Sequence, residues 1–389
     1  MYTINRPPPL SAWEKVGLFF RLAFIAPLQA ILNVSRCLCI AAIRGLPLRF
    51  YAQCGIARVI HGSFSARQIQ YFSPSTSSRY KTWMATRLAH ARTTNDKFLL
   101  KRLRYDVEGL PDGESSILWI GNRRRATKFV YFLHGGAYVV SLNGGHLEWC
   151  LRAYVQAAAA AKDGEDVAVA VLEYTLCPAG QYPVQLSQAA AGLAHLLRSG
   201  ISPRNLVIGG DSAGGNLTAQ LLGHILHPHP DVKAIGLDGP LAGAFAVSPW
   251  VSGHTDTRSF VENEYIDMLS PYIVRNSCNY LLEGVEQYAA ERSKGHGWAM
   301  AVDVDGGWLE GLETVTREVY VTVGGQEVLR DQGITFAETI RTRNPRVSVR
   351  LEIMENEAHD WIMLEGMAHW DGDATKRMRA WVSDVFWNQ

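Results

Sequence analysis

Carboxylates are nearly absent from the first quarter of this chain. Residues 1–97 carry 13 Lys and Arg against 2 Asp and Glu, whereas residues 98–389 carry 25 against 35. The two parts cancel to a net charge of +1, so the overall balance predicts no affinity for nucleic acid. The split itself raises a targeting or membrane question. Charged residues make up only 19% of the chain, against ~25% in ordinary soluble domains, which points to extensive burial or a partly greasy surface. Cysteine is scarce as well. Six residues with no C-x-x-C pair exclude a disulfide-stapled scaffold, and all six read as mostly buried thiols in a reducing compartment. The sequence contains no H-E-x-x-H, no Cys/His cluster and no Walker loop, so zinc and nucleotide chemistry lack their usual signatures. It has no repeat of fixed period and no low-complexity tract. A hydrophobic share of 47% excludes disordered and collagen-like chains.

An uninterrupted apolar run long enough to cross a bilayer is also missing. Val16 to Ile43 is apolar, but Arg21, Pro27 and Arg36 interrupt it, and its longest uncharged stretch, Leu22 to Ser35, has 14 residues. A span takes about 20. At about 100° per residue, Glu14, Lys15, Arg21, Gln29, Asn33 and Arg36 share one sector, and Pro27 predicts a kink. The segment reads as a helix that hides most of its surface. It is expected to pack as a lid over the body or to lie in a membrane interface through residues 14–44. A cleaved leader is disfavoured, because the apolar run starts late and Pro27 breaks it.

After residue 97 short β-branched runs alternate with helical stretches, the pattern of helices on both faces of a parallel sheet. Strands are expected at Phe129–Leu133, Val167–Tyr174, Leu206–Gly209, Ala244–Ser248, Val319–Val323 and Val347–Met354. Helices are expected at His146–Lys162, Val184–Arg198, Asn216–His227, Gln332–Arg341 and Ala374–Phe386. Runs near Leu99–Val107 and Ile117–Ile120 suggest an antiparallel edge. The fold class is α/β, a mostly parallel doubly wound sheet. Residues 98–389 form its body, interrupted at about 249–305 by an excursion without a convincing strand; this excursion and residues 1–97 are expected to sit together over the site. The cluster Arg123–Arg125 beside Lys128 reads as a solvated turn rather than a nucleic-acid contact.

Two glycine-rich segments carry the chemistry. Leu206-Val-Ile-Gly-Gly-Asp-Ser-Ala-Gly-Gly215 places G-x-S-x-G between an apolar strand and a helical run, the context that lifts a serine hydroxyl into the open on a strained turn. Phe129-Val-Tyr-Phe-Leu-His-Gly-Gly-Ala-Tyr138 is a strand ending in a glycine loop. Attack of Ser212 on a carbonyl builds negative charge on oxygen, and preorganised N–H donors must meet it. Gly136, Ala137 and Ala213 are the candidate donors. A serine needs a base, and the base an acid to orient it, in the chain order serine, acid, histidine. His359 follows the strand at Arg350–Met354 and is assigned as base. Glu327 follows the strand at Val319–Val323 and is assigned as acid, with Asp331 as the alternative.

These residues resemble the hormone-sensitive-lipase-like family of α/β-hydrolases, from about residue 98 to the end. The resemblance rests on the H-G-G loop, the G-D-S-A-G-G elbow, Tyr174-Thr-Leu-Cys-Pro178 with Tyr182-Pro183, Ser248-Pro-Trp250, Glu327-Val-Leu-Arg-Asp331 in place of the usual D-x-L-x-D, and His359-Asp-Trp361. Departures are Ala137 at the fourth loop position and Glu for Asp at the acid. The resemblance implies a carboxylic ester hydrolase without cofactor or metal, with a helical cap, acting on a small-molecule ester. The aromatic residues of the cap segments favour an apolar substrate. Weaker likeness points to fungal esterase-like proteins of secondary metabolism. The same triad would serve an amide or formamide hydrolase, or an acyltransferase or lactone-forming enzyme, while a non-catalytic receptor would be expected to lack part of it. The sequon at Asn216 lies just inside the elbow helix, where modification would block folding, so the expected location is intracellular, cytoplasmic or peripheral on an internal membrane. No segment specifies an oligomeric state.

Overall fold

The computed structural model describes residues 9–160 and 165–388. Eight strands form one sheet: β1 Val107–Gly109, β2 Ser116–Ile120, β3 Ala126–Leu133, β4 Asp166–Glu173, β5 Leu206–Asp211, β6 Gly243–Val247, β7 Glu318–Gly324 and β8 Ser348–Met354. Their order is β1-β2-β4-β3-β5-β6-β7-β8. β1 and β2 are antiparallel to their neighbours, and every pairing from β4 to β8 is parallel.

Alternate residues explain why the sheet is covered twice. Along β3, Tyr131 and Leu133 enter one apolar cluster, while Val130 and Phe132 enter the other on the opposite face. β4 is buried throughout, as a central strand between two helical layers must be. At ~1.5–3 kcal/mol for each fully buried aliphatic or aromatic side chain, such strands can only sit in the middle. Helices Gly144–Ala153, Val184–Arg198, Ala213–Leu226, Arg330–Arg343 and Asp373–Trp387 alternate with the strands. Gly209 lets the Phe245 ring lie on the sheet, since a Cβ there would stand 2.4 Å from that ring.

Two expected elements differ, while the excursion at 249–305 is helical without a strand, as expected. Lys97–Arg102 is helical rather than extended, because the Asp96 side chain caps it by accepting from the Leu99 N–H. Pairing at that edge begins only at Val107. The helix expected over His146–Lys162 starts at Gly144 behind an Asn143 cap, ends at Ala153 and continues as a 3-10 turn to Ala160; residues 161 and 162 lie outside the described residues. Residues 249–305 carry helices Arg258–Asn263, Pro271–Leu282 and Glu286–Ser293.

The first quarter is helical, but not as its sequence suggested. Ala12–Ile43 is one continuous helix of 32 residues. Pro27 does not end it. A π-helical turn at Arg21–Ile25 widens the turn that the proline ring would otherwise meet. Nor does the helix hide most of its surface: only 6% of its most apolar window is buried. Several of its polar residues bond to the protein instead. Arg21 donates to the Ser63 carbonyl, Glu14 pairs with Arg67 at 2.8 Å, and Arg44 donates to Asn263 Oδ1 at 2.9 Å. The neighbouring helix, Leu48–Ser63, packs close because a Cβ at Gly55 would stand 2.8 Å from Val34 Cα.

Two smaller expectations are adjusted. Four cysteines are buried, but Cys39 is exposed and Cys278 half-buried. Arg123 is paired with Asp106 and Glu108, and Arg125 with Asp166, so two arginines of that basic cluster are paired within the fold.

Candidate active site

The carboxyl ends of β3, β5, β7 and β8 lie along one edge of the sheet, where open α/β sheets place their ligands. β5 turns directly into the helix Ala213–Leu226 with Ser212 between them at φ 51°, a left-handed conformation that costs a non-glycine residue strain. Close packing holds the turn. A Cβ at Gly210 would stand 2.0 Å from the Leu133 carbonyl oxygen, and one at Gly214 only 1.9 Å from it. The elbow therefore presses against the end of β3, and only glycine fits at either position.

From that turn a line of contacts runs through the imidazole. His359 Nε2 lies 2.8 Å from Ser212 Oγ, and His359 Nδ1 lies 3.1 Å from Glu327 Oε2. Glu327 is fully buried, and its other oxygen accepts the Gly324 N–H at 3.1 Å. Asp331 does not reach the ring. Its carboxylate accepts the Ser259 N–H at 2.8 Å and pairs with Arg330 at 3.0 Å. Gly136 and Ala137 line the same cavity as Ser212, in left-handed conformations at φ 110° and φ 55°. The N–H groups of Gly136, Ala137 and Ala213 have no partner among the described residues.

The cavity measures about 30 Å³. Trp250, Met268, Leu269, Ile273, Val274 and Leu329 supply its apolar wall. His61, on the helix Leu48–Ser63, also faces it. Burial first, then the nearby His359, lowers the His61 pKa to about 4, so this ring is neutral.

Asp267 was not legible in the sequence. It accepts from the Val328 N–H at 2.8 Å and from the His359 N–H at 3.2 Å, tying the acid loop to the base loop. Burial raises its pKa to about 6, with Glu327 adding to the rise. Asn263 reinforces the acid loop by donating to the Glu327 carbonyl at 3.0 Å. The Arg58 guanidinium holds the 264–269 segment through its carbonyls.

A second carboxylate pair lies beneath the serine. Asp211 accepts from the Gly135 N–H and from His146 Nε2, both at 3.1 Å. Burial, followed by the charge of Asp211, pushes the Asp360 pKa up to about 8, so the pair shares one proton at neutral pH. His146, Asp211 and Asp360 have ligand-type atoms within 4.8 Å of one another. However, His146 Nδ1 accepts the Asn143 N–H at 3.2 Å, which puts its proton on Nε2, facing Asp211. Neither ring nitrogen offers a lone pair to a metal. Asn216 is fully buried, bonded to Tyr138 at 2.6 Å and to the Ala299 carbonyl at 2.9 Å, so its sequon is shut inside the fold.

Comparison with known proteins agrees with this architecture. The acetyl-hydrolase of Streptomyces hygroscopicus is 25% identical over 252 residues, covering 61% of this chain and 75% of that protein. LipR of Mycobacterium tuberculosis is 41% identical over 90 residues, 23% of this chain, and the match spans only 27% of LipR. The crystal structure of EstE5-PMSF superposes with a TM-score of 0.57 at 21% identity, covering 77% of this chain and 91% of EstE5, a likeness of fold. A family model described as alpha/beta hydrolase fold matches residues 130–363. Since that match takes in more than half the chain, the protein belongs to the α/β-hydrolase family.

Proposed function

We propose that this protein hydrolyses carboxylic esters of small, mostly apolar molecules through an acyl-enzyme on Ser212. The observation that carries the reading is the unbroken line from Ser212 Oγ through His359 to Glu327, opening on a small apolar cavity. Ser212 attacks the ester carbonyl while His359 Nε2 takes its proton, and Glu327 stabilises the imidazolium that forms. The N–H groups of Gly136, Ala137 and Ala213 receive the developing oxyanion. His359 returns the proton to the leaving alkoxide, and water then cleaves the acyl-enzyme by the same steps. Residues 1–97 and 249–305 serve in this reading as a cap over the catalytic domain, residues 98–389.

The cavity argues for a short acyl group. It is small, about 30 Å³, and walled by apolar side chains, which favours an acetyl group over a long chain. Relatives named acetyl-hydrolase favour the same size. Hydrolysis of p-nitrophenyl acetate should exceed that of the octanoate, and Ser212→Ala should abolish both along with labelling by a fluorophosphonate probe. Retained turnover in Ser212→Ala would end the proposal.

A further inference from the structure

The helix Ala12–Ile43 meets the protein through Leu18, Cys37 and Ala41 and the half-buried Glu14, Gln29 and Asn33, and turns most of its large apolar side chains outward. Trp13 is 85% exposed and Ile31 67%, with Phe19, Phe24, Leu28 and Ile43 all exposed as well. Along 32 residues this makes a stripe about 48 Å long. Soluble monomers rarely expose a contiguous apolar patch beyond a few hundred Å². Something apolar covers this face when the protein works.

Charge identifies the cover. Lys15, Arg36 and Arg49 are exposed on or beside this helix, and none has a carboxylate partner among the described residues. Unpaired cations flanking an apolar stripe match the two layers of an anionic bilayer surface, phosphates outside and acyl chains beneath.

Anchoring identifies the orientation. The helix is tied near its start to the rest of the N-terminal quarter, through Glu14 and Arg67. It is tied again near its end, where the Cys37 thiol faces the Tyr265 and Ile266 carbonyls and Arg44 bonds Asn263. Length and hydropathy alone would let it cross a membrane, but a helix fastened along the protein surface at both ends lies flat. We propose that this face seats the protein on an anionic lipid bilayer, with the helix in the plane of the interface. The inference is independent of the reaction at Ser212.

The test is flotation of the full chain with vesicles of phosphatidylcholine, alone or mixed with phosphatidylglycerol. The comparison is a Phe19→Asp/Phe24→Asp/Ile31→Asp variant, whose altered side chains all point outward. Its fold is checked by turnover of a water-soluble ester and by thermal melting. The wild type should float with the mixed vesicles, more weakly with phosphatidylcholine alone, and less as salt rises. The variant should keep its activity while its partition falls ~100-fold or more. Equal flotation of variant and wild type overturns the proposal, as does equal binding to both vesicle types. So does a wild type that stays in solution, including as a dimer that the variant converts to monomer, since a second copy would then be the cover. Resistance of the bound wild type to alkaline carbonate extraction overturns the in-plane arrangement.

Discussion

Asp360 places a carboxylate oxygen 3.8 Å from His359 Nε2, on the side of the ring that faces Ser212. Burial alone would lower the pKa of His359. The carboxylates of Asp360, Glu327 and Asp267 outweigh it and hold the imidazole above its ordinary value.

A pH dependence follows from this contact. The base form of His359 fills as pH rises through its pKa, so a raised pKa delays activity to higher pH. Asp360 gains charge only as pH passes about 8, which holds the proton on the ring and flattens the rise. Asp360→Asn keeps a side chain suited to the left-handed backbone at φ 55°. It should move the acid limb of kcat/KM down by about one unit and steepen it. A pH–rate profile that stays in place or moves upward contradicts the assignment.

The acid of the triad can be separated from its alternative by kinetics. Glu327→Gln should lower kcat on the order of 10^4-fold, because the amide no longer stabilises the imidazolium. Asp331→Asn should leave kcat within a few-fold and act on stability, since its contacts are Ser259 and Arg330. Equal kinetic losses in the two variants would count against Glu327.

Asp267 is a positioning residue in this geometry. Asp267→Ala frees both the Val328 and His359 N–H groups, so the ring should drift from its line. A misplacement of about 1 Å costs ~100-fold in rate. The expected signature is a fall in kcat with little change in KM. A change confined to the melting temperature would make the residue purely structural.

Glycine positions should divide sharply. Gly210→Ala drives a Cβ to 2.0 Å from a main-chain oxygen that cannot rotate away, a cost of ~3 kcal/mol or more. Gly144 has open space around its Cβ position and lies at the start of a helix, so Gly144→Ala should be neutral or stabilising by about 0.5 kcal/mol. Chemical denaturation of the two variants measures both.

What could be read from the chain alone was whatever the chain encodes locally. The elbow and the His134-Gly-Gly loop are each written in about a dozen consecutive residues, so the strand, the strained turn and the helix announce themselves. Glu327 and His359 could be placed because each follows an apolar strand in a known order, and parallel strands bring their carboxyl ends to one edge. Glu327 was preferred to Asp331 on position alone; the loop's path, which the sequence does not show, turns the Glu327 carboxylate toward His359 and that of Asp331 toward Arg330. Asp267 and His61 carried no signal. They reach the site from segments far away in sequence, and no periodicity marks a residue whose role is set by a contact 92 positions distant. The helix Ala12–Ile43 makes the same point more strongly. Its sequence determines which residues share a face, because 3.6 residues per turn is a property of the backbone. Only the tertiary structure decides which face meets the protein, because that depends on hydrogen-bonding partners such as Ser63, Arg67 and Asn263 waiting on the other side.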